Sequence, residues 1–234
     1  MTLMNGILLI DKPIGWTSFD VVNKIRTIIE AAEIVNGRKK RYPVGHSGTL
    51  DPLATGLLII LIGSATKQSA VIGKFDKTYQ ATMKLGFTST TGDEEGDKTL
   101  QSSFQPPVEQ INYVLKRFLG PIEQLPPTYS AIKIKGQPAY RLARKGLPVQ
   151  LKPRLVQINS LQLESYHYPL VKLSASVSSG TYIRSLVEDI GKALSTGAYT
   201  VELRRISIGQ HQVSQAASPQ DLTFSDISRR LIGL

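Results

Sequence analysis

The apolar positions of this chain recur in two rhythms, and each predicts its own kind of element. "NGILLIDKPIGWTS" reads as a short buried strand closed by a Pro/Gly turn. Ser18 then stands as a helix cap ahead of Val21, Val22, Ile25, Ile28 and Ile29, which share one helical face until Asn36-Gly37 stops the helix. Residues 57–62 are continuously apolar and predict a strand buried on both faces, followed by a short helix in "SATKQSAVIGKF". "KTYQATMKLG" alternates instead. Tyr79, Ala81, Met83 and Leu85 lie on one face and Thr78, Gln80, Thr82 and Lys84 on the other, the mark of a half-buried strand.

Further along, "TSTTGDEEGD" is a polar loop whose acids lack the spacing and closing glutamate of a calcium loop. "VEQINYVLKRFLG" has helical periodicity and a glycine stop. Residues 126–154 mix prolines, a short strand and a basic helix with little to bury, which predicts a projecting insertion. Two strands at 155–168 and 170–178, a helix beginning near Thr181 or Tyr182, a strand in "AYTVELRRISIG" and an amphipathic tail complete the pattern. There is no internal repeat and no strict βαβ alternation. The expected class is α+β: a mixed, mostly antiparallel central sheet flanked by helices, in one domain over 1–234.

Charge changes the picture. The 234 residues carry a net charge of +10, an excess that attracts polyanions. Between Glu123 and Glu164 there is no acid, yet Lys133, Lys135, Arg141, Arg144, Lys145, Lys152 and Arg154 fall there, interleaved with Tyr129 and Tyr140. Arg38, Lys39, Lys40 and Arg41 form a second basic knot. Such zones predict nucleic-acid contact. With no cysteine and three histidines (His46, His167 and His211) at no ligand spacing, a zinc site is not expected. No targeting segment or span-length apolar run is legible, so a cytoplasmic setting is expected.

The chemistry concentrates in "GHSGTLDPLATG", where Asp51 is the one carboxylate in a glycine-rich loop that runs into the apolar strand. Pro52 biases Asp51 away from helical dihedrals, and Gly45 and Gly48 permit tight turns. A paired-carboxylate glycosidase needs a second acid, and a metal needs further ligands; the motif supplies neither. A lone carboxylate can act as nucleophile or electrostatic stabiliser at a sugar C1′.

"GHSGTLDPLATGLL" resembles the catalytic motif of the TruB family of tRNA pseudouridine-55 synthases. "DKPIGWTS", "KTYQATMKLG", "PPTYSAIKIKGQPAYRLARKG", "SSGTYIRSLVEDIG" and "ELRR" resemble its other motifs, in order and across nearly the whole chain. The resemblance implies a pseudouridine synthase-like fold and isomerisation of uridine 55 in the T arm of tRNA, without metal or organic cofactor. The uridine is flipped out, its N1–C1′ bond broken, the base turned and rejoined through C5. By resemblance Asp51 is the essential acid, whether by attack on C1′ or by assisting removal of the C2′ proton. Tyr79 is the tyrosine that stacks on the target base, and Arg184 the partner of the catalytic acid. His46, Tyr182 and Leu203 are substrate-pocket positions, and residues 126–154 grip RNA. Asp93 matches a family acid, although the usual Thr-Asp-Thr before it reads Ser89-Thr90-Thr91.

The short stretch after "RRISIG" implies a form without the C-terminal PUA domain of many members, with the 38–41 knot replacing some of its contacts. A monomer is expected. The alternative reading is an RNA-binding or RNA-folding module with a vestigial site.

Overall fold

The computed structural model describes residues 4–32, 34–35, 38–39, 41–134 and 136–233, with backbone alone at 34, 35, 38 and 39. The chain divides into two compact units, one of residues 1–77 and 204–234, the other of 78–203.

The first unit is organised on the strand Thr55–Ile62. Gly6–Lys12 pairs with it antiparallel over its full length, from Gly6↔Ile62 to Lys12↔Gly56. Val44–Ser47 pairs antiparallel with its second half, and Arg204 and Arg205 pair parallel with Thr55 and Gly56. Leu58, Ile60 and Ile62 pack with Leu8 and Ile10 against Val21, Val22, Ile25 and Ile29 of the helix Ser18–Ala32. Leu57, Ile59 and Leu61 pack with Ile7, Leu9, Ile72 and Ile208 on the opposite face. Burial of both faces is why the run lacks alternation. The helix Phe224–Arg230 closes on this unit through buried Ile227, capped by a reciprocal Thr223/Asp226 box.

In the second unit the strands follow the order 198–203, 78–85, 170–177, 154–167, 120–124. Arg154–His167 and Leu170–Val177 form a long antiparallel hairpin with two register shifts, and Gly120–Gln124 pairs antiparallel with the start of the first arm. The helix Ile183–Ala193 buries Ile183, Leu186, Val187 and Ile190. Val108–Arg117 packs on the Arg154–His167 strand. The mixed, mostly antiparallel sheet with flanking helices is therefore present. Within 126–154 lie a minimal two-stranded pair, Lys133–Ile134 with Gln137–Pro138, and the helix Ala139–Arg144.

Several elements differ from the expected ones. The cap of the first long helix is Thr17: its Oγ1 accepts from the Asp20 N–H at 3.1 Å, and Asp20 Oδ2 accepts from the Thr17 N–H at 2.8 Å. Ser18 is instead buried inside the first turn. The helix ends at Ala32, and Asn36-Gly37 lie outside the described residues. "SATKQSAVIGKF" divides into a 3-10 segment, Gly63–Gln68, and one α turn, Ser69–Ile72. The polar loop at 90–97 is tied at its base by a short antiparallel pair, Phe87–Ser89 with Lys98–Leu100. Among the described residues no helix is long and apolar enough to cross a membrane.

Candidate active site

In the first unit the motif around Asp51 is held by buried polar groups. His46 lies on the strand Val44–Ser47 rather than in a loop, because Gly45 to Ser47 continue the pairing with Thr55–Ile62. The chain then turns at Gly48, whose φ of 79° falls in the left-handed region that glycine adopts without strain. Half-buried Asp51 follows, its carbonyl accepting from the Ala54 N–H at 3.0 Å.

Two side chains fasten the peptide groups beside it. Ser18 Oγ accepts from the Leu50 N–H at 2.8 Å and donates to the Leu50 carbonyl at 3.1 Å. Lys12, with no exposed surface, spends its ammonium on the carbonyls of Pro13 (2.9 Å), Trp16 (2.6 Å) and Pro52 (3.4 Å). Burial pulls its pKa down to about 8, against the upward pull of Asp51 and with a smaller downward push from Arg205. The group stays cationic at neutral pH.

Two more cations lie in this unit. Lys77 is buried and donates to the carbonyls of Gly73 (2.9 Å) and Phe75 (2.6 Å), and burial, then Arg205, bring its pKa to about 8. Arg205, 1% exposed, donates Nε to the Leu57 carbonyl (2.7 Å) and Nη2 to the Gly48 carbonyl (2.8 Å). Burial and Arg205 together lower the pKa of His46, so its ring is neutral at pH 7. Its Nδ1 is buried without a hydrogen-bond partner among the described residues.

In the second unit Tyr79 sits on the buried face of the strand Lys77–Leu85, in the alternation its sequence predicts. Tyr182 is the N-cap of the helix Ile183–Ala193. Buried Gln124 grips its backbone from both sides, accepting the Tyr182 N–H at 2.7 Å and donating to its carbonyl at 3.0 Å. That fixes the start of the helix and with it Arg184, which is 4% exposed although it occupies a first turn. Arg184 donates to the carbonyls of Thr91 and Tyr129, both at 2.8 Å, and pairs with Asp93 at 3.4 Å. Asp93 is itself buried and accepts from the Thr91 hydroxyl and the Glu95 N–H. A buried acid anchoring a buried arginine gives Asp93 a place that the altered residues before it concealed. Leu203 is buried near the end of this unit.

Asp51 and His46 thus belong to the first unit, and Tyr79, Tyr182, Arg184 and Leu203 to the second. Lys133, Arg141, Arg144, Lys145 and Arg41 are solvent-exposed, and Arg144 lies 5.8 Å over the Tyr140 ring. Lys40 and Lys135 lie outside the described residues, as do the side chains of Arg38 and Lys39. Ser18, Gln124, Lys12, Lys77 and Arg205 were not among the expected site residues. Only the lysine and arginine in "DKP", "KTY" and "ELRR" carried a signal, as charges inside strand patterns.

The architecture is similar to that of a protein solved in a Cbf5-Nop10-Gar1 complex, with a TM-score of 0.69 and 28% identity over 94% of this chain and 54% of that one. A second neighbour comes from an H/ACA RNP bound to a substrate RNA containing 2′-deoxyuridine, with a TM-score of 0.66 and 27% identity over 93% and 52%. The chain spans about half the length of each. These likenesses define the fold as that of pseudouridine synthases.

The pattern described as "TruB family pseudouridylate synthase (N terminal domain)" matches residues 36–183. The tRNA pseudouridine synthase B of Dechloromonas aromatica (strain RCB) is 43% identical over 228 residues, 97% of this chain and 73% of its own. That of Pseudomonas putida (strain GB-1) is 43% identical over 219 residues, 94% and 68%. The chain belongs to the TruB family of pseudouridylate synthases.

Proposed function

We propose that this chain isomerises uridine 55 in the T arm of tRNA to pseudouridine, as a monomer, in the cytoplasm, with no metal or cofactor. The observation that carries the reading is the setting of Asp51. Its neighbours Leu50 and Pro52 are fastened by Ser18 and Lys12, so the carboxylate is aimed before any substrate arrives. Relatives 43% identical along nearly all of this chain bear the name tRNA pseudouridine synthase B.

The chemistry balances without a co-reactant. The N1–C1′ bond breaks, the uracil turns, C5 bonds to C1′, and the C5 hydrogen leaves as a proton while N1 gains one. Everting the uridine costs a few kcal/mol of stacking. Tyr79 offsets part of it by stacking on the base, worth about 1–3 kcal/mol. Asp51 acts at the ribose. Arg184, anchored by Asp93, fixes the charge of the site, and His46, Tyr182 and Leu203 bind the nucleoside. The neutral His46 ring offers one donor and one acceptor nitrogen for contact with the RNA. Residues 126–154, with Lys133, Lys135, Arg141, Arg144 and Lys145, hold phosphates and keep the register, assisted by Arg38, Lys39, Lys40 and Arg41.

The test is incubation with an unmodified tRNA transcript, followed by mapping of pseudouridine. Wild type converts position 55, and Asp51→Asn binds the transcript but yields no product. Binding without product from the wild type would make the chain an RNA-binding module instead, and release of free uracil would make it a hydrolase.

A further inference from the structure

Arg204 and Arg205 are consecutive on one strand, so they leave it on opposite faces. Arg204 turns to an accessible carboxylate, Asp11, in a two-pronged pair of 3.0 and 2.6 Å. Arg205 turns inward. A fully buried guanidinium is ordinarily matched by an acid, since an uncompensated charge there is expensive. Among the described residues no carboxylate forms an ion pair with Arg205. Its donors go to two backbone carbonyls, Leu57 through Nε and Gly48 through Nη2.

Those two carbonyls are the ends of one segment. The chain leaves the sheet after Ser47, carries Asp51 through the turn and rejoins the sheet at Thr55, two residues before Leu57. The guanidinium spans the gap as a chord. Backbone geometry makes the same connection, because Arg205 pairs with Gly56 in parallel register. A Cβ at Gly56 would come within 2.2 Å of the Arg205 carbonyl oxygen, so only glycine admits the approach. A Cβ at Gly48 would meet Arg205 Nη1 at 3.4 Å. The charge reaches the rest of the motif too, since Arg205 lowers the proton affinity of Lys12, Lys77 and His46.

We propose that Arg205 is the positioning residue of the Asp51 turn: its guanidinium ties Gly48 to Leu57 and so fixes where the catalytic carboxylate stands. This rests on the reading of Asp51 given above. A planar fork with donors in fixed directions suits two carbonyls at set separation, whereas a lysine ammonium on a single stem does not. An apolar residue of equal length would avoid the burial of a charge but would leave both carbonyls bare.

The experiment compares wild type, Asp51→Asn, Arg205→Lys and Arg205→Met in single-turnover pseudouridine formation at saturating protein, beside tRNA Kd and melting curves. Product from the wild type and none from Asp51→Asn establishes the reading of Asp51 independently of Arg205. At a temperature where all variants are folded, Arg205→Lys should then lose about 10²-fold in rate, the penalty of a misplacement near 1 Å. Its Kd should stay within about twofold of wild type, the split that marks an interaction felt only in the reaction.

A folded Arg205→Lys or Arg205→Met variant reacting within about threefold of wild type would overturn the proposal, as would a loss confined to Kd. Should both variants fail to fold, or the wild type make no product, the wild-type side chain still decides. Its Nε–H should exchange with heavy water as slowly as core amides such as that of Ile60. Exchange as fast as that of an exposed arginine sinks the chord.

Discussion

Replacing Ser18 by alanine removes one hydroxyl and disconnects Asp51 from the first helix. In the intact protein that hydroxyl accepts the Leu50 N–H at 2.8 Å and donates to the Leu50 carbonyl at 3.1 Å, with Ser18 and Leu50 both buried. The variant leaves a buried N–H without an acceptor, at a cost of about 1–3 kcal/mol. The carbonyl loses a donor as well, a smaller penalty because it has two lone pairs. Alanine is the better helix former by roughly half a kcal/mol, which offsets part of this. The net loss is about 2–3 kcal/mol, or roughly 5–10 °C in Tm for a chain of this size. Thr17→Ala is the internal control, since it removes the exposed cap next door at about 1 kcal/mol and touches nothing near Asp51. Urea unfolding followed by circular dichroism gives the stabilities, and release of tritium from C5-labelled uridine gives the single-turnover rate. Ser18→Ala should be the less stable of the two and the only one with a slowed reaction. If it is no less stable than Thr17→Ala and reacts at the wild-type rate, the clamp does not position Asp51.

Lys77 supplies a prediction in pH. Its folded pKa of about 8 lies below the ordinary lysine value of 10.5, so between these limits the unfolded chain binds more protons and wild-type stability rises with pH. Relative to Lys77→Met, the wild type should gain about 3 kcal/mol from pH 8 to 10.5, read from urea midpoints along that range. A gap that stays flat or narrows would contradict the assigned burial cost. For the insertion, Arg141, Arg144 and Lys145 are all exposed. Changing the three to glutamine should reduce the slope of log Kd against log salt by about 2–3 while leaving the rate at saturation unaltered. An unchanged slope would remove them from the phosphate-binding surface.

What the sequence disclosed follows from how far each signal extends along the chain. The strand Lys77–Leu85 is buried at every second residue, so its periodicity was plain, and Tyr79 could be placed on its inner face. Residues 57–62 were legible because both faces meet apolar layers. Thr17 and Ser18 are both residues that cap, and only the acid at position 20 distinguishes them, since it completes a box with Thr17. The pair Phe87–Ser89 and Lys98–Leu100 is too short and too exposed to show alternation. Gln124 left no local trace, and Lys12 and Arg205 left only a charge inside a strand pattern. Their partners are 40 residues away for Lys12 and Pro52, 58 for Gln124 and Tyr182, and 157 for Arg205 and Gly48. Arg184 stood out only by resemblance, as the partner of the essential acid; its burial depends on carbonyls and an acid from elsewhere in the fold.

The grip of Gln124 on Tyr182 bears on how far position 182 can be redesigned. The amide accepts from the N–H and donates to the carbonyl of residue 182, groups that every amino acid except proline carries, so this hold on the main chain does not depend on which side chain is mounted there. Gln124 is therefore a bracket for the backbone alone. Exchanging the tyrosine for phenylalanine, histidine or leucine leaves that bracket in place, and with it the start of the helix that carries Arg184 two residues on.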